Sequence, residues 1–237
     1  MSGLPAWILQ IFAQMDSPAT RRRIVPTLLR AKIVFSRKEA HRRLQLEIVQ
    51  AGDPVLRQLA RPIRPDEIES PEFQQTIADM LETLRLAPGV GLAAPQIGLG
   101  LQLAIIEDRA QYHTSWTAEQ IRARARVPVP FHVLINPRLE VADDAKLEFF
   151  EGCLSVNGYT AEVPRFSRVR VHCLNEHGDP QHIEAEGWYA RILQHEIDHL
   201  HGKLYIDRMK PRTFMSIKNY TDRWRQHEDE ARRIFGD

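Results

Sequence analysis

The residues best able to do chemistry are His195-Glu196-Ile197-Asp198-His199, an H-E-x-x-H motif. Two histidines four positions apart lie about one turn along the same face of a helix, so their imidazoles can converge on one metal ion. Glu196 is placed to handle the proton of a metal-bound water. The motif therefore indicates a hydrolytic metal centre; the alternative is a charged helix face that contains two histidines by chance.

The sequence around the motif predicts the helix that must position it. Apolar residues recur upstream at helix-like spacing, and Gly202 is a natural stop after them. The spaced apolar positions are Ala185, Trp188, Ile192, Ile197 and Leu200.

The third ligand distinguishes between classes of metalloenzyme. A metzincin protease would carry a third histidine at position 205, where this chain has Tyr205. A thermolysin-like site would take a glutamate from a following helix, but Glu228 and Glu230 lie in a strongly charged stretch unlike a buried ligand site. The better candidate is upstream, at Cys153.

Cys153 lies in Glu151-Gly152-Cys153-Leu154-Ser155, after the strand-like run 147–150. A free cysteine is often a buried structural thiol, and that interpretation stays open for Cys153 taken alone. A thiolate with two neutral histidines would instead fill three positions of a tetrahedral site. The fourth position would stay open for water, as in catalytic centres.

A third segment, 89–98, reads Gly-Val-Gly-Leu-Ala-Ala-Pro-Gln-Ile-Gly. One interpretation is a glycine-rich turn leading into a buried strand. It matches neither a phosphate-binding loop nor the G-x-G-x-x-G loop, because Ala94 holds the final glycine position. Gln96 is the residue of chemical interest, since its amide can donate a hydrogen bond to a developing oxyanion.

Together, segments 89–96, 151–155 and 194–200 resemble the three signature motifs of peptide deformylases, in the family's order and at similar separations. The resemblance covers roughly residues 46–212. It implies hydrolytic removal of the N-formyl group from the initiator methionine of new polypeptides, with N-formylmethionyl nascent peptides as partners.

The resemblance also implies roles for individual residues. Glu196 would accept a proton from the attacking water and return it to the leaving amine, while Gln96 and the backbone N–H of Leu154 would hold the oxyanion. The implied metal ligands are Cys153, His195 and His199. The residues implied to border the peptide and methionine pocket are Val90, Gly91, Phe149, Trp188 and Arg191.

Two points about this site stay open. Glu151 and Arg165 are interpreted either as residues that frame the ligands or as a structural salt bridge. One cysteine and two histidines suit Zn as well as Fe(II), Co or Ni. The resemblance implies Fe(II) as the physiological ion, and zinc, nickel or cobalt are the alternatives.

The rest of the chain predicts an α+β fold, with mostly antiparallel strands around a central helix carrying the H-E-x-x-H motif and with a C-terminal helix. Residues 73–84 have helical periodicity, 103–106 and 133–137 read as buried strands, and 175–180 as a hairpin turn. Residues 109–130 are predicted to be a surface insertion or a lid. Its basic and proline residues are Arg122, Arg124, Arg126, Pro128 and Pro130.

Composition excludes several function classes. The chain has 237 residues, a net charge of +1 and two cysteines, Cys153 and Cys173. This charge gives no argument for DNA binding, and no apolar run approaches the roughly 20 residues of a membrane span. Two cysteines are too few for a disulfide framework and fit a reducing compartment. The spacing of His172, His177 and His182 beside Cys173 fits no recognised metal site.

The chain is divided into three parts by these patterns. Residues 1–45 form a basic, partly helical extension, interpreted either as part of a cytoplasmic protein or as a transit peptide for a mitochondrion or plastid. We favour the cytoplasm. Residues 46–212 form the catalytic domain and 213–237 a C-terminal helix. The resemblance implies ribosome contact for this helix, whereas its mixed charges favour a solvated face. The oligomeric state does not follow from the sequence.

The alternatives to the deformylase interpretation are an endopeptidase and a non-catalytic binding module. A zincin-type endopeptidase would need a downstream third ligand. A non-catalytic metal-binding or ribosome-associated module would close its fourth coordination position, and would have no need of Glu196 and Gln96.

Overall fold

The computed structural model describes residues 46–87 and 89–236, which are built around one antiparallel sheet. The predicted extension 1–45 lies outside the described residues. The strands are β1 Gly91–Ala93, β2 Leu103–Asp108, β3 Val129–Cys153, β4 Val156–Leu174, β5 Pro180–Glu186 and β6 Met215–Ser216. The α-helices are α1 Pro65–Ile68, α2 Pro71–Leu86, α3 Ala118–Ala123, α4 Gly187–Leu200, α5 Ile217–Asn219 and α6 Glu228–Phe235. Shorter helical turns are Pro54–Arg57, Ala94–Ile97, Ala110–His113, Tyr205–Asp207, Pro211–Thr213 and the π-helical Tyr220–Trp224.

The strands pair in the order β1-β2-β3-β4-β5, and β6 adds to β4. All of these pairings are antiparallel. β3 and β4 form a long hairpin whose register shifts at four points, the last of them between Gly152 and Cys153. This shift lies at the hairpin turn, where Cys153 pairs with Val156 at the last position of the ladder.

β2 explains how the two main helices share one sheet. Its side chains alternate between faces, as the pleat of a strand requires. Leu103 and Ile105 pack in a cluster with Phe73, Ile77, Met80 and Leu84 of α2. Ala104 and Ile106 pack in a second cluster with Ala190, Leu193, Ile197 and Leu200 of α4. Both faces of this strand are therefore buried, which is why its sequence is a continuous apolar run.

The helix that carries the H-E-x-x-H motif ends where its sequence suggests, but it begins later, because Ala185, the first of the predicted apolar positions, lies in β5. α4 starts at Gly187, whose φ of +59° lies in the left-handed region that favours glycine. It ends at Leu200, and Gly202 follows with a φ of +69°. The α+β class, the helix over residues 73–84 and the turn before β5 are confirmed by these elements.

The insertion between β2 and β3 contains a short 3-10 turn and α3. The prediction that it is a surface connection is wrong for Arg124 and Arg126, which are 2% and 6% exposed. Arg126 pairs with the buried carboxylate of Asp108 at 2.8 and 2.9 Å. A buried arginine needs such partners, and they cannot be recognised from composition alone.

The C-terminal residues form two helical pieces rather than one continuous helix. α5 leads into a π-helical turn that ends at Trp224, and α6 begins at Glu228. The ring of Tyr220 lies 4.8 Å from that of Phe150, so this segment packs on the sheet. Within the described part of the chain, no helix has the length and apolarity to cross a membrane.

Candidate active site

Three side chains from two elements converge at one point. Cys153 ends β3, while His195 and His199 project from the same face of α4. Their ligand atoms all lie within 4.8 Å of one another, and Sγ of Cys153 is 3.4 Å from Nε2 of His199. One sulfur and two imidazole nitrogens at these separations suit a divalent transition metal. No other cluster of this kind occurs in residues 46–87 and 89–236, the neighbourhood of Cys173 included.

A buried carboxylate holds the first histidine. Oε2 of Glu151 lies 2.9 Å from Nδ1 of His195, so Nε2 is the ring nitrogen that faces Cys153. Glu151 also accepts two hydrogen bonds from Arg165, both of 2.9 Å, and one of 2.6 Å from Arg191. Although burial opposes it, these cations and the His195 hydrogen bond hold the pKa of Glu151 well below its usual range.

A second carboxylate, that of Asp198, pairs with the opposite end of the Arg165 guanidinium group. Nη1 of Arg165 donates to Asp198, which also accepts two hydrogen bonds of 2.6 Å from Arg208. Arg165 is thus held at both ends, and it holds Glu151 in turn. Both interpretations of Glu151 and Arg165 are correct. The two residues form a salt bridge with each other, and Glu151 also contacts the candidate ligand His195.

The surroundings of Cys153 lower the pKa of its thiol and favour the thiolate. Burial alone would raise the pKa of its thiol, but the charge of His199 and hydrogen bonds from both histidines lower it to about 5. The N–H of Ser155 also points at the sulfur, at 3.4 Å. The thiolate is the form of cysteine that binds metals, so the site fits a resident cation.

Glu196 lies beside this cluster with its carboxyl group buried. It is 4% exposed, and Oε2 has no hydrogen-bond partner among the described residues. Burial raises the pKa of Glu196 above its usual value. Gly91 leaves room for it, because a Cβ atom at that position would lie 2.3 Å from Oε1 of Glu196. The carboxyl group is therefore placed and poised to exchange a proton.

Gln96 approaches the cluster from the first motif. Its Nε2 atom lies 3.5 Å from Sγ of Cys153 and 3.4 Å from Oγ of Ser155, while Oε1 accepts a hydrogen bond of 2.9 Å from Ala93 N–H. The bond from Ala93 fixes the orientation of the amide, so that its NH₂ group faces the site. The side chain of Leu154 packs close to Gly89 and joins the first and second motifs.

The residues predicted to border a methionine pocket fall into two groups. Gly91 of β1 lies against Glu196 and directly follows Val90, and Phe149 and Trp188 are neighbours with ring centroids 6.3 Å apart. Arg191 is 3% exposed, and its guanidinium group donates to Glu151 and to the carbonyl groups of Leu147 and Val163. These acceptors hold its guanidinium group in place beside the rings of Phe149 and Trp188.

A cavity of about 410 Å³ lies elsewhere on α4. Arg138, Phe166, Arg165, Asp198 and Arg208 are among the residues that line it, but Cys153, His195 and His199 are not. The chemistry argued above therefore does not depend on this cavity.

The comparison with known proteins agrees with this geometry. A family model of polypeptide deformylases matches residues 45–215, which include all three motifs. The chain belongs to the peptide deformylase family. Membership accounts for the shared order of the motifs along β1, β3 and α4, and metal dependence is general to peptide deformylases.

Similar peptide deformylases occur in plants and bacteria. Peptide deformylase 1A, chloroplastic/mitochondrial, of Arabidopsis thaliana is 48% identical over 73% of this chain and 64% of its own length. Peptide deformylase 3 of Streptomyces avermitilis is 48% identical over 78% of this chain and 80% of its own. A Met-Ala-Ser-bound peptide deformylase structure from Acinetobacter baumannii has a TM-score of 0.63 and 27% identity, and covers 71% of this chain and 100% of that one. The match to the Arabidopsis protein thus spans just under two thirds of that relative.

Sequence reasoning missed two residues next to this candidate site. Asp198 is inside the H-E-x-x-H motif, and its burial beside Arg165 could have been suspected from its helix position next to His199. Arg124 comes from the insertion and contacts Trp188 and Phe149, and no feature of the sequence pointed to it.

Proposed function

We propose that this chain is a metal-dependent hydrolase that removes the N-formyl group from the initiator methionine of newly synthesised polypeptides and releases formate. The observation that carries the proposal is the convergence of Cys153, His195 and His199 with a buried carboxyl group and an oriented primary amide. Each of these groups serves a step of amide hydrolysis.

Cys153, His195 and His199 would hold the metal, which supplies an acidified water and polarises the formyl oxygen. Glu196 would take a proton from the attacking water and pass it to the amine that leaves. Burial raises the pKa of Glu196, and this supports the role, because a carboxylate with a higher pKa is a better base.

Gln96 and the backbone N–H of Leu154 would donate to the oxyanion that forms on the formyl carbon. The bond from Ala93 N–H to Oε1 turns the donor end of Gln96 toward Cys153 before substrate arrives. Donors that are oriented in advance need no reorganisation during the reaction, which is the source of their effect on rate.

Val90, Gly91, Phe149, Trp188 and Arg191 would border the peptide and the methionine side chain. Support comes from the Acinetobacter relative, whose structure holds Met-Ala-Ser. In this chain the aromatic pair Phe149 and Trp188 lies close to Arg191, with its guanidinium carbon 5.3 and 5.9 Å from their ring centres.

Fe(II) is the metal that we propose, with zinc, nickel or cobalt as alternatives. The set of one thiolate and two imidazoles accepts all four ions. Ferrous iron beside a thiolate would make the enzyme oxygen-sensitive, since Cys153 is open to oxidation. Loss of activity in air from the iron form, and not from the nickel form, would support iron.

The protein is proposed to act in the cytoplasm, with a mitochondrion or plastid as the alternative if residues 1–45 are a transit peptide. The Arabidopsis relative is a chloroplastic/mitochondrial enzyme, which supports the alternative, and sequencing the N-terminus of the mature protein decides between them. Ribosome contact through the C-terminal segment is likewise a proposal, which co-sedimentation with ribosomes tests.

Formate release from formyl-Met-Ala-Ser tests the function and the residue roles together. Protein loaded anaerobically with Fe(II) is compared with Glu196→Ala and Cys153→Ala. We expect release by the wild type, loss in Glu196→Ala with metal retained, and loss of both metal and activity in Cys153→Ala. Full activity in Glu196→Ala would refute its role as the proton carrier.

A further inference from the structure

A buried arginine of the insertion lies between two aromatic rings. Arg124 follows α3 and is 2% exposed. Its guanidinium carbon is 4.6 Å from the ring centre of Trp116 and 4.6 Å from that of Phe149. A guanidinium group over the face of an aromatic ring is attracted by the ring's negative face, and this attraction grows when water is excluded. Arg124 is therefore the nearest of three guanidinium groups at the ring of Phe149, since those of Arg191 and Arg232 lie 5.3 and 5.8 Å from its centre.

The charge of Arg124 is balanced from the C-terminal helix. Nη2 of Arg124 lies 2.6 and 2.7 Å from the two carboxylate oxygens of Glu228, the first residue of α6. The hydroxyl group of Tyr220 donates to the same carboxylate. The Glu228 side chain is 10% exposed, so the pair is nearly desolvated, and Arg232 adds a longer contact of 3.4 Å to Glu228.

The backbone of Arg124 holds the start of the helix that carries His195 and His199. Its carbonyl oxygen accepts a hydrogen bond of 2.8 Å from the N–H of Trp188, one of the unpaired donors in the first turn of α4. A Cβ atom at Gly187 would lie 2.5 Å from the same oxygen, so the two segments are in direct contact. The guanidinium carbon is also 5.7 Å from the ring centre of Trp188.

We propose that Arg124 is a positioning residue that sets substrate specificity, by holding Phe149 and Trp188 in the arrangement that accepts a methionine side chain. The inference rests on the proposed function, in which these two rings border the methionine pocket. Glu228 acts with Arg124, since it keeps the cation in place. Neither residue touches the reacting atoms in this account.

The test is the ratio of kcat/KM for formyl-Met-Ala-Ser to kcat/KM for formyl-Ala-Ala-Ser. Both values scale with the fraction of active enzyme, so their ratio is insensitive to partial loss of folding or of metal. Arg124→Met keeps an unbranched apolar stem and removes the charge. Arg122→Met, an exposed arginine of α3, is the matched control.

We expect Arg124→Met to lower the ratio at least about tenfold, the scale by which a hydrophobic pocket discriminates substrates. The change should come mainly from a higher KM for the methionine substrate, and Arg122→Met should keep the wild-type ratio. Glu228→Gln, which removes the opposing charge at nearly the same size, should shift the ratio in the same direction.

Two results would overturn the inference. If Arg124→Met or Glu228→Gln releases formate with the wild-type ratio, the arginine is structural only. If the wild type releases formate from neither peptide, the proposed function fails and this inference fails with it. The two failures are distinct because the first requires an active wild type.

Discussion

The carboxylate of Glu151 lies 2.9 Å from Nδ1 of His195, and this contact determines which ring nitrogen of His195 faces Cys153. Two arginines, Arg165 and Arg191, keep the carboxylate ionised in a buried position. A negative partner on the far nitrogen raises the basicity of a metal-binding imidazole and fixes its orientation. Glu151 thus links the sheet to the helix through the candidate metal centre.

The first prediction concerns this contact. Glu151→Gln should weaken metal binding about 10- to 100-fold, because the neutral amide no longer orients and polarises His195. Competition with a chelator measures the change on folded protein. Glu148→Gln, on the same strand but paired with Lys210 at the surface, is the control and should bind metal like the wild type. Equal affinity in both variants would show that Glu151 serves the fold alone.

Gln96 gives the second prediction. Gln96→Ala should lower the turnover number about 100- to 1,000-fold, the usual cost of removing one oxyanion donor. Metal content should stay at the wild-type level, since the amide is not one of the three ligands. Gln96→Glu keeps an oxygen to accept from Ala93 N–H but replaces the donor, so it should be equally impaired. Recovery of activity in Gln96→Glu would mean that Gln96 supports the loop and not the oxyanion.

Gly91 gives the third prediction, which follows from lack of space. A Cβ atom there would lie 2.3 Å from Oε1 of Glu196, so Gly91→Ala must displace the carboxyl group. A misplacement of about 1 Å can cost about 100-fold in rate, and we expect a loss of at least that size. Gly100→Ala is the control, because a Cβ atom there meets nothing within 4 Å. Similar activity in the two variants would contradict the close approach.

The two thiols should differ in how their reactivity depends on pH. In metal-free protein the pKa of Cys153 is about 5, so its thiolate already predominates near neutral pH and alkylation should change little above it. Burial raises the pKa of Cys173 to about 11, so its alkylation should be slow near neutral pH and rise as the solution becomes alkaline. Peptide mapping after iodoacetamide treatment measures each rate. Equal rates at neutral pH would contradict this difference.

The features that could be predicted from the sequence are those encoded by neighbouring residues. The period of α2, the apolar run of β2 and the H-E-x-x-H spacing each depend on residues within a few positions of one another. The convergence of Cys153 with the histidines of α4 was expected from their chemistry as metal ligands and from the resemblance to peptide deformylases, and the structure adds its geometry.

The contacts between distant side chains could not be predicted in this way. Arg124 and Glu228 are separated by 104 positions, and Arg191 and Glu151 by 40. In each pair the direction of a long side chain decides which partner it contacts, and that direction depends on the packed fold. For the same reason, the polarity of Arg191 could be noted from the sequence, but not its use in binding Glu151.

The central claim is most directly tested by the products that the Fe(II)-loaded protein makes from formyl-Met-Ala-Ser and from acetyl-Met-Ala-Ser. Mass spectrometry identifies the peptide products, and a coupled assay measures formate. We predict equal amounts of formate and Met-Ala-Ser from the formyl peptide, with both internal peptide bonds intact and the acetyl peptide largely unchanged. Cleavage between the amino acids, or no formate from metal-loaded protein, would contradict the deformylase account.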